Sequence, residues 1–224
     1  MKKTVAWFIV LLLLLSLTAC SAPQSPVITH DADAPEATEV PAAEPEPTAE
    51  PEKRFSHGTW SGRTFTSDYA GLTLTLPDDG WTIASDEELA EIMDIDDANL
   101  LEQAMIRLTN ITDMQVQNAN TGASIILMFE NLALNPAAKD ITVEEYAGIL
   151  ADGLMEYEAY TYTVDDTTTV TLCGKEYLAL PTHVAEYDLD QTYLMRYEGD
   201  MMVDLILTGM GDGSIDELLA MFAD

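Results

Sequence analysis

The sequence predicts an α+β domain over residues 55–224, a largely antiparallel β-sheet flanked by helices on both faces. Three observations carry that expectation. Strand-like segments bounded by turn residues dominate both ends of the region. Three places pair a hydroxyl residue with a glutamate three positions later, namely Ser85 with Glu88, Thr142 with Glu145 and Ser214 with Glu217, the pattern of a helix capping box. Ile125 to Phe129 is apolar at every position, so both faces of the sheet must be covered there.

Each element follows from local chemistry. Arg63 to Ser67 and Leu72 to Leu76 alternate apolar and polar residues around Tyr69-Ala70-Gly71, which predicts a hairpin. Pro77-Asp78-Asp79-Gly80 is a turn, and Trp81 to Ala84 continues extended. Ser85 then opens a short helix with Leu89, Ile92 and Met93 inward, and Asp97 to about Leu108 predicts a second helix. Met114–Asn118 and Ser124–Glu130 form two strands joined through Asn120-Thr121-Gly122. Thr142 opens the longest helix, whose Val143, Tyr146, Leu150, Leu154 and Tyr157 share a face. Strands are expected at 160–164, 168–172, 177–187, 192–197 and 201–208, with hairpin turns at Cys173-Gly174-Lys175 and Glu198-Gly199-Asp200. Ser214 opens a last helix that packs through Ile215, Leu218, Leu219 and Phe222.

The chain ahead of this domain has two parts. Residues 1–19 combine Lys2 and Lys3 with an apolar run from Val5 to Leu17 and then small residues. That order is a secretory signal, and the run is short for a membrane span. Residues 20–54 follow as a tether. Positions 21–54 hold seven of the ten prolines and eight acids, with no aromatic residue and no glycine. Such a segment buries too little apolar surface to offset chain entropy, so disorder is expected. Stretched, it reaches on the order of 100 Å.

Leu17-Thr18-Ala19-Cys20 resembles the lipobox of bacterial lipoproteins. The resemblance implies that the Cys20 thiol takes a diacylglyceryl group and that a dedicated peptidase cleaves before it. Small Thr18 and Ala19 suit a narrow peptidase site, Leu17 fills an apolar subsite, and only a sulfur nucleophile forms the thioether. Acyl chains contribute roughly 0.8 kcal/mol per buried methylene, so two or three hold a protein stably at a membrane. The alternative is a plain signal with a chance cysteine. The expected location is therefore the extracytoplasmic face of a cell membrane, reached through lipid on Cys20.

Charge narrows the partners. The chain has 40 acidic and 9 basic residues, a formal charge of −31, and removal of Lys2 and Lys3 with the signal leaves a more negative product. A surface of that sign repels nucleic acid and anionic headgroups. With Cys20 lipidated, Cys173 stands alone and forms no intrachain disulfide.

The segment Tyr69-Ala70-Gly71-Leu72-Thr73-Leu74-Thr75-Leu76-Pro77, closed by Gly80-Trp81, resembles the opening of the PsbP-like α/β/α sandwich superfamily, which includes LpqN-like lipoproteins. By element order the resemblance extends over residues 60–224. It implies non-enzymatic binding or accessory roles, and it transfers no binding residue.

His30, His57 and His183 have no ligand-spaced partners for zinc or copper. Asp94-Ile95-Asp96-Asp97-Ala98-Asn99 begins like a calcium loop but lacks its glycine and closing glutamate. Asp78-Asp79 and Asp165-Asp166 read as turn acids, Met201-Met202 as core, Trp81 as core, and Cys173 as a small packed residue. No nucleophile elbow or glycine-rich phosphate loop occurs. No catalytic residue, metal site or cofactor is therefore expected. The expected function is a membrane-anchored binding or accessory module with a protein or envelope partner. A calcium-dependent binding protein is the alternative, followed by an enzyme with a dispersed site.

Overall fold

In the strand that contains Ile125 to Phe129, successive side chains point to opposite faces, and every one from Ser124 to Glu130 is buried. Ile125, Leu127 and Phe129 join one apolar cluster, while Ile126 and Met128 join another. Two cores therefore lie on either side of one sheet, as period-two geometry requires. The computed structural model describes residues 54–95, 109–135, 138, 140–210 and 214–223.

The elements in chain order are β1 (Thr59–Ser61), β2 (Thr64–Ser67), β3 (Leu72–Thr75), β4 (Trp81–Ile83), α1 (Asp86–Ile92), β5 (Asn110–Asn118) and β6 (Ser124–Asn131). After a short 3-10 turn at Leu132–Leu134 come α2 (Val143–Met155), β7 (Tyr162–Val164), β8 (Thr168–Leu172), β9 (Lys175–Val184), β10 (Leu189–Glu198), β11 (Met201–Met210) and α3 (Ile215–Leu219). The main sheet has eight strands in the order β4-β5-β6-β11-β10-β9-β7, with β8 also pairing β9. All its pairings are antiparallel. Both β7 and β8 run along β9, broken by Asp165-Asp166-Thr167.

One face of the main sheet is covered by α2, which buries Ala147 and Leu154 and packs Val143, Tyr146 and Leu150 on the sheet; the helix ends at Met155, so Tyr157, expected on its apolar face, packs from the segment that follows. The opposite face differs from expectation. Among the described residues it is covered chiefly by a second, three-stranded sheet, β1-β2-β3, through Phe65, Leu72 and Leu74. The short helices α1 and α3 add Ala90 and Leu218. The domain is thus more β-rich than a sheet with helices on both faces. Alternation in β2 and β3 shows one buried side per strand, but it does not reveal that these strands form a separate sheet. The expected second helix, from Asp97 to about Leu108, lies outside the described residues.

Two capping boxes are complete. The Ser85 and Thr142 hydroxyls accept from the backbone of Glu88 and Glu145, whose carboxylates accept the cap N–H groups in return. At Ser214 only the first half forms, from the Glu217 N–H to the Ser214 hydroxyl. At the hairpin between β8 and β9, Cys173 and Gly174 both take positive φ, 50° and 68°, as a two-residue turn needs to match strand twist. The strand expected over 177–187 instead ends at Val184, and a four-residue turn with Asp188 at φ 50° leads into β10.

Candidate functional site

The residues expected to carry the membrane anchor, Leu17, Thr18, Ala19 and Cys20, lie outside the described residues, as does His30. So does most of the acidic stretch Asp94–Asn99. Trp81 is buried in the core and Trp60 packs on Phe65 at 5.2 Å between ring centroids. Met201 and Met202 are buried on opposite sides of the sheet. Cys173 is half-buried at its turn. Among the described residues no group of three or more His, Cys, Asp or Glu could hold a metal ion, and no helix is long and apolar enough to cross a membrane.

The structure brings together a buried polar cluster beneath α2 that sequence reasoning missed. Glu130 on β6 and Asp204 on β11 are 7% and 8% exposed, and both face the helix. The Tyr146 hydroxyl from α2 lies 2.8 Å from Glu130 Oε2 and 2.8 Å from Asp204 Oδ2. A phenol has one proton to donate. One of the two contacts must therefore be made by a proton that belongs to a carboxyl group. Burial, together with the Glu130 charge and against the Tyr146 hydrogen bond, pushes Asp204 up to about 7. Burial also raises Glu130 and, with both carboxyls, holds Tyr146 well above the ordinary phenol range. The consistent arrangement is a chain in which protonated Asp204 donates to Tyr146, which donates to Glu130. A lone acid inside the apolar run Met201–Leu207 was the available sequence signal.

A second ionisable pair fastens the start of the domain. Asp113 sits at the bulge in β5, where the register shifts between Thr112 and Met114. The bulge lets Ile111, Met114 and Val116 all enter the same apolar cluster despite their mixed parity. The Asp113 side chain is fully buried, accepts the Gly58 N–H at 3.2 and 3.1 Å, and is in short contact with His57 Nδ1. His57 Nε2 is buried with no hydrogen-bond partner among the described residues. His183 lies in β9 with its Nδ1 2.8 Å from Asp190 on the neighbouring strand.

Arg196 joins the two sheets. It donates to the Ala70 carbonyl in the β2–β3 turn, to Tyr197 O at 3.1 Å and to Glu198 Oε2 at 2.5 Å. Its guanidinium also lies over the Tyr177 ring, 5.1 Å from the centroid. The Ala70 carbonyl thus has a partner although Ala70 is completely buried within the turn.

A different chemistry is presented at the surface beyond the end of α2. Tyr157, Tyr160 and Tyr187 form an aromatic row, with centroids 5.6 and 5.5 Å apart and planes tilted by 37° and 59°. Tyr187 is exposed, as is the neighbouring Met155. The Thr161 N–H and hydroxyl both donate to Glu186, which fixes the row's middle segment to the turn that carries Tyr187. The sequence indicated strands at 160–164 and 177–187 but not that the turn would bring these rings together.

No known protein family and no curated protein matches the chain. Among solved structures it is similar to the solution structure of cyanobacterial PsbP (CyanoP) from Synechocystis sp. PCC 6803. That likeness has a TM-score of 0.45 and 11% identity, and covers 74% of this chain and 97% of the other.

Proposed function

We propose that this protein is a membrane-anchored lipoprotein on the extracytoplasmic face of a cell envelope, and that its domain is a non-enzymatic binding or accessory module. The observation that carries the proposal is Leu17-Thr18-Ala19-Cys20, placed behind two lysines and an apolar run and ahead of a proline- and acid-rich stretch. In this reading, lipid on Cys20 inserts in the bilayer, and residues 20–54 hold the domain away from it. The domain itself belongs to the PsbP-like α/β/α group, a placement supported by Tyr69–Pro77 and Gly80-Trp81.

A binding role is supported by what the domain presents outward. The ionisable clusters at Asp204 and Asp113 are interior, whereas Tyr187, at one end of the tyrosine row, is exposed beside acidic residues. The test is membrane fractionation of the full chain in its native host. Wild-type protein is expected to sediment with membranes after a high-salt wash, and Cys20→Ala to move to the soluble fraction. A Cys20→Ala protein that still sediments would refute the anchor.

A further inference from the structure

We infer that the tyrosine row at the C-terminal end of α2 is a docking surface for a cationic, arginine- or lysine-bearing segment of a partner protein. The inference rests on the reading of the domain as a binding module and names the chemistry of what it binds.

Three features of the same sign meet there. The first is aromatic. The rings of Tyr157, Tyr160 and Tyr187 are tilted rather than stacked face to face, and Tyr187 is 39% exposed. A guanidinium or ammonium over such a ring face gains cation–π attraction. The second is the backbone. The 13-residue helix α2 ends at Met155 with no basic residue in its last turn, so the negative end of its dipole is not offset locally. The third is side-chain charge. Asp152, Glu156, Glu158, Glu186 and Asp188 are all exposed around the row. Among the described residues, three basic side chains are engaged away from it: Arg63 donates to Leu76 O, Arg196 to Ala70 O, and Lys175 lies against Gly71.

The surface is also preassembled. Tyr157 and Tyr160 pack inward on the α2 side of the main sheet, and Tyr160 N–H donates to Tyr157 O at 3.3 Å. Thr161 is bound to Glu186 through three contacts of 2.6 to 2.9 Å. Little side-chain freedom is therefore lost when a partner settles on the rings, which favours affinity. Tyrosine and arginine are the residue types that concentrate binding energy at interfaces.

The experiment uses a fluorescent hexa-arginine peptide titrated into the full chain in detergent at physiological salt, with anisotropy as the readout. Tyr187→Ala is expected to weaken binding about three- to thirtyfold, the range of a single cation–π contact. Tyr187→Phe, which keeps the ring face, is expected to stay within about twofold of wild type. The double variant Asp165→Asn, Asp166→Asn removes two charges from an acidic turn outside the row and is expected to have a similarly small effect. The proposal is overturned if Tyr187→Ala binds as wild type, or if the Asp165/Asp166 variant weakens binding as much as Tyr187→Ala does, since attraction would then be diffuse. Neither result affects the fractionation of Cys20→Ala, so failure of this surface is distinct from failure of the envelope assignment.

Discussion

Replacing Asp204 by asparagine isolates the proton held beneath α2. In the folded protein Asp204 is pushed from 3.8 to about 7, first by burial. At 1.36 kcal/mol per pKa unit, that interval corresponds to about 4 kcal/mol of folding free energy. The folded state binds the proton more tightly than the unfolded chain. The contribution is therefore fully present below the unfolded pKa, and it is lost as pH rises through the folded value. About 3 kcal/mol of the change falls between pH 5 and 8. Asparagine at position 204 keeps a donor for the Tyr146 oxygen, its amide N–H, and has no proton to lose in this range. The assay is urea unfolding of the full chain at fixed ionic strength, followed by tryptophan fluorescence with buried Trp81 as a reporter. Carboxylates outside this cluster contribute equally to both proteins, so the informative quantity is the difference between them. Relative to Asp204→Asn, wild type should lose about 3 kcal/mol from pH 5 to pH 8. A difference that stays flat over that range would show that Asp204 does not hold the proton.

Two further substitutions probe the same architecture. Tyr146→Phe removes the hydroxyl between Glu130 and Asp204 and should cost about 1–3 kcal/mol at pH 6 by leaving Glu130 without its donor and the Asp204 proton without its acceptor; unchanged urea stability would contradict the bridge. Gly58→Ala places a Cβ into the ring of Phe65, which is only 1% exposed, and should cost about 1–3 kcal/mol through overpacking. An unaltered thermal midpoint would mean that the segment bonded to Asp113 can shift without penalty.

Where a feature depended on neighbours along the chain, it was legible in the sequence. The caps at Ser85 and Thr142 lie three residues from their glutamates, and both formed in full. The apolar face of α2 follows helical spacing, and Val143, Tyr146, Leu150 and Leu154 pack as that spacing requires, whereas Tyr157 lies past the end of the helix. The run Ile125–Phe129 announced a sheet covered twice.

Long-range pairing alone decided the rest. Ser214 matched the capping pattern but formed only half of it. The cover on the second face came from β1-β2-β3, because alternation specifies a buried side without naming the sheet that a strand joins. Asp204 gained its proton only where β11 lies beside β6 and α2 crosses above, joining it to a tyrosine 58 residues away. The tyrosine row likewise needed the turn after Val184 to meet the end of α2. The physical reason is common to all of these. Backbone propensity acts over a few residues, whereas burial, desolvation and side-chain juxtaposition exist only after distant segments have packed.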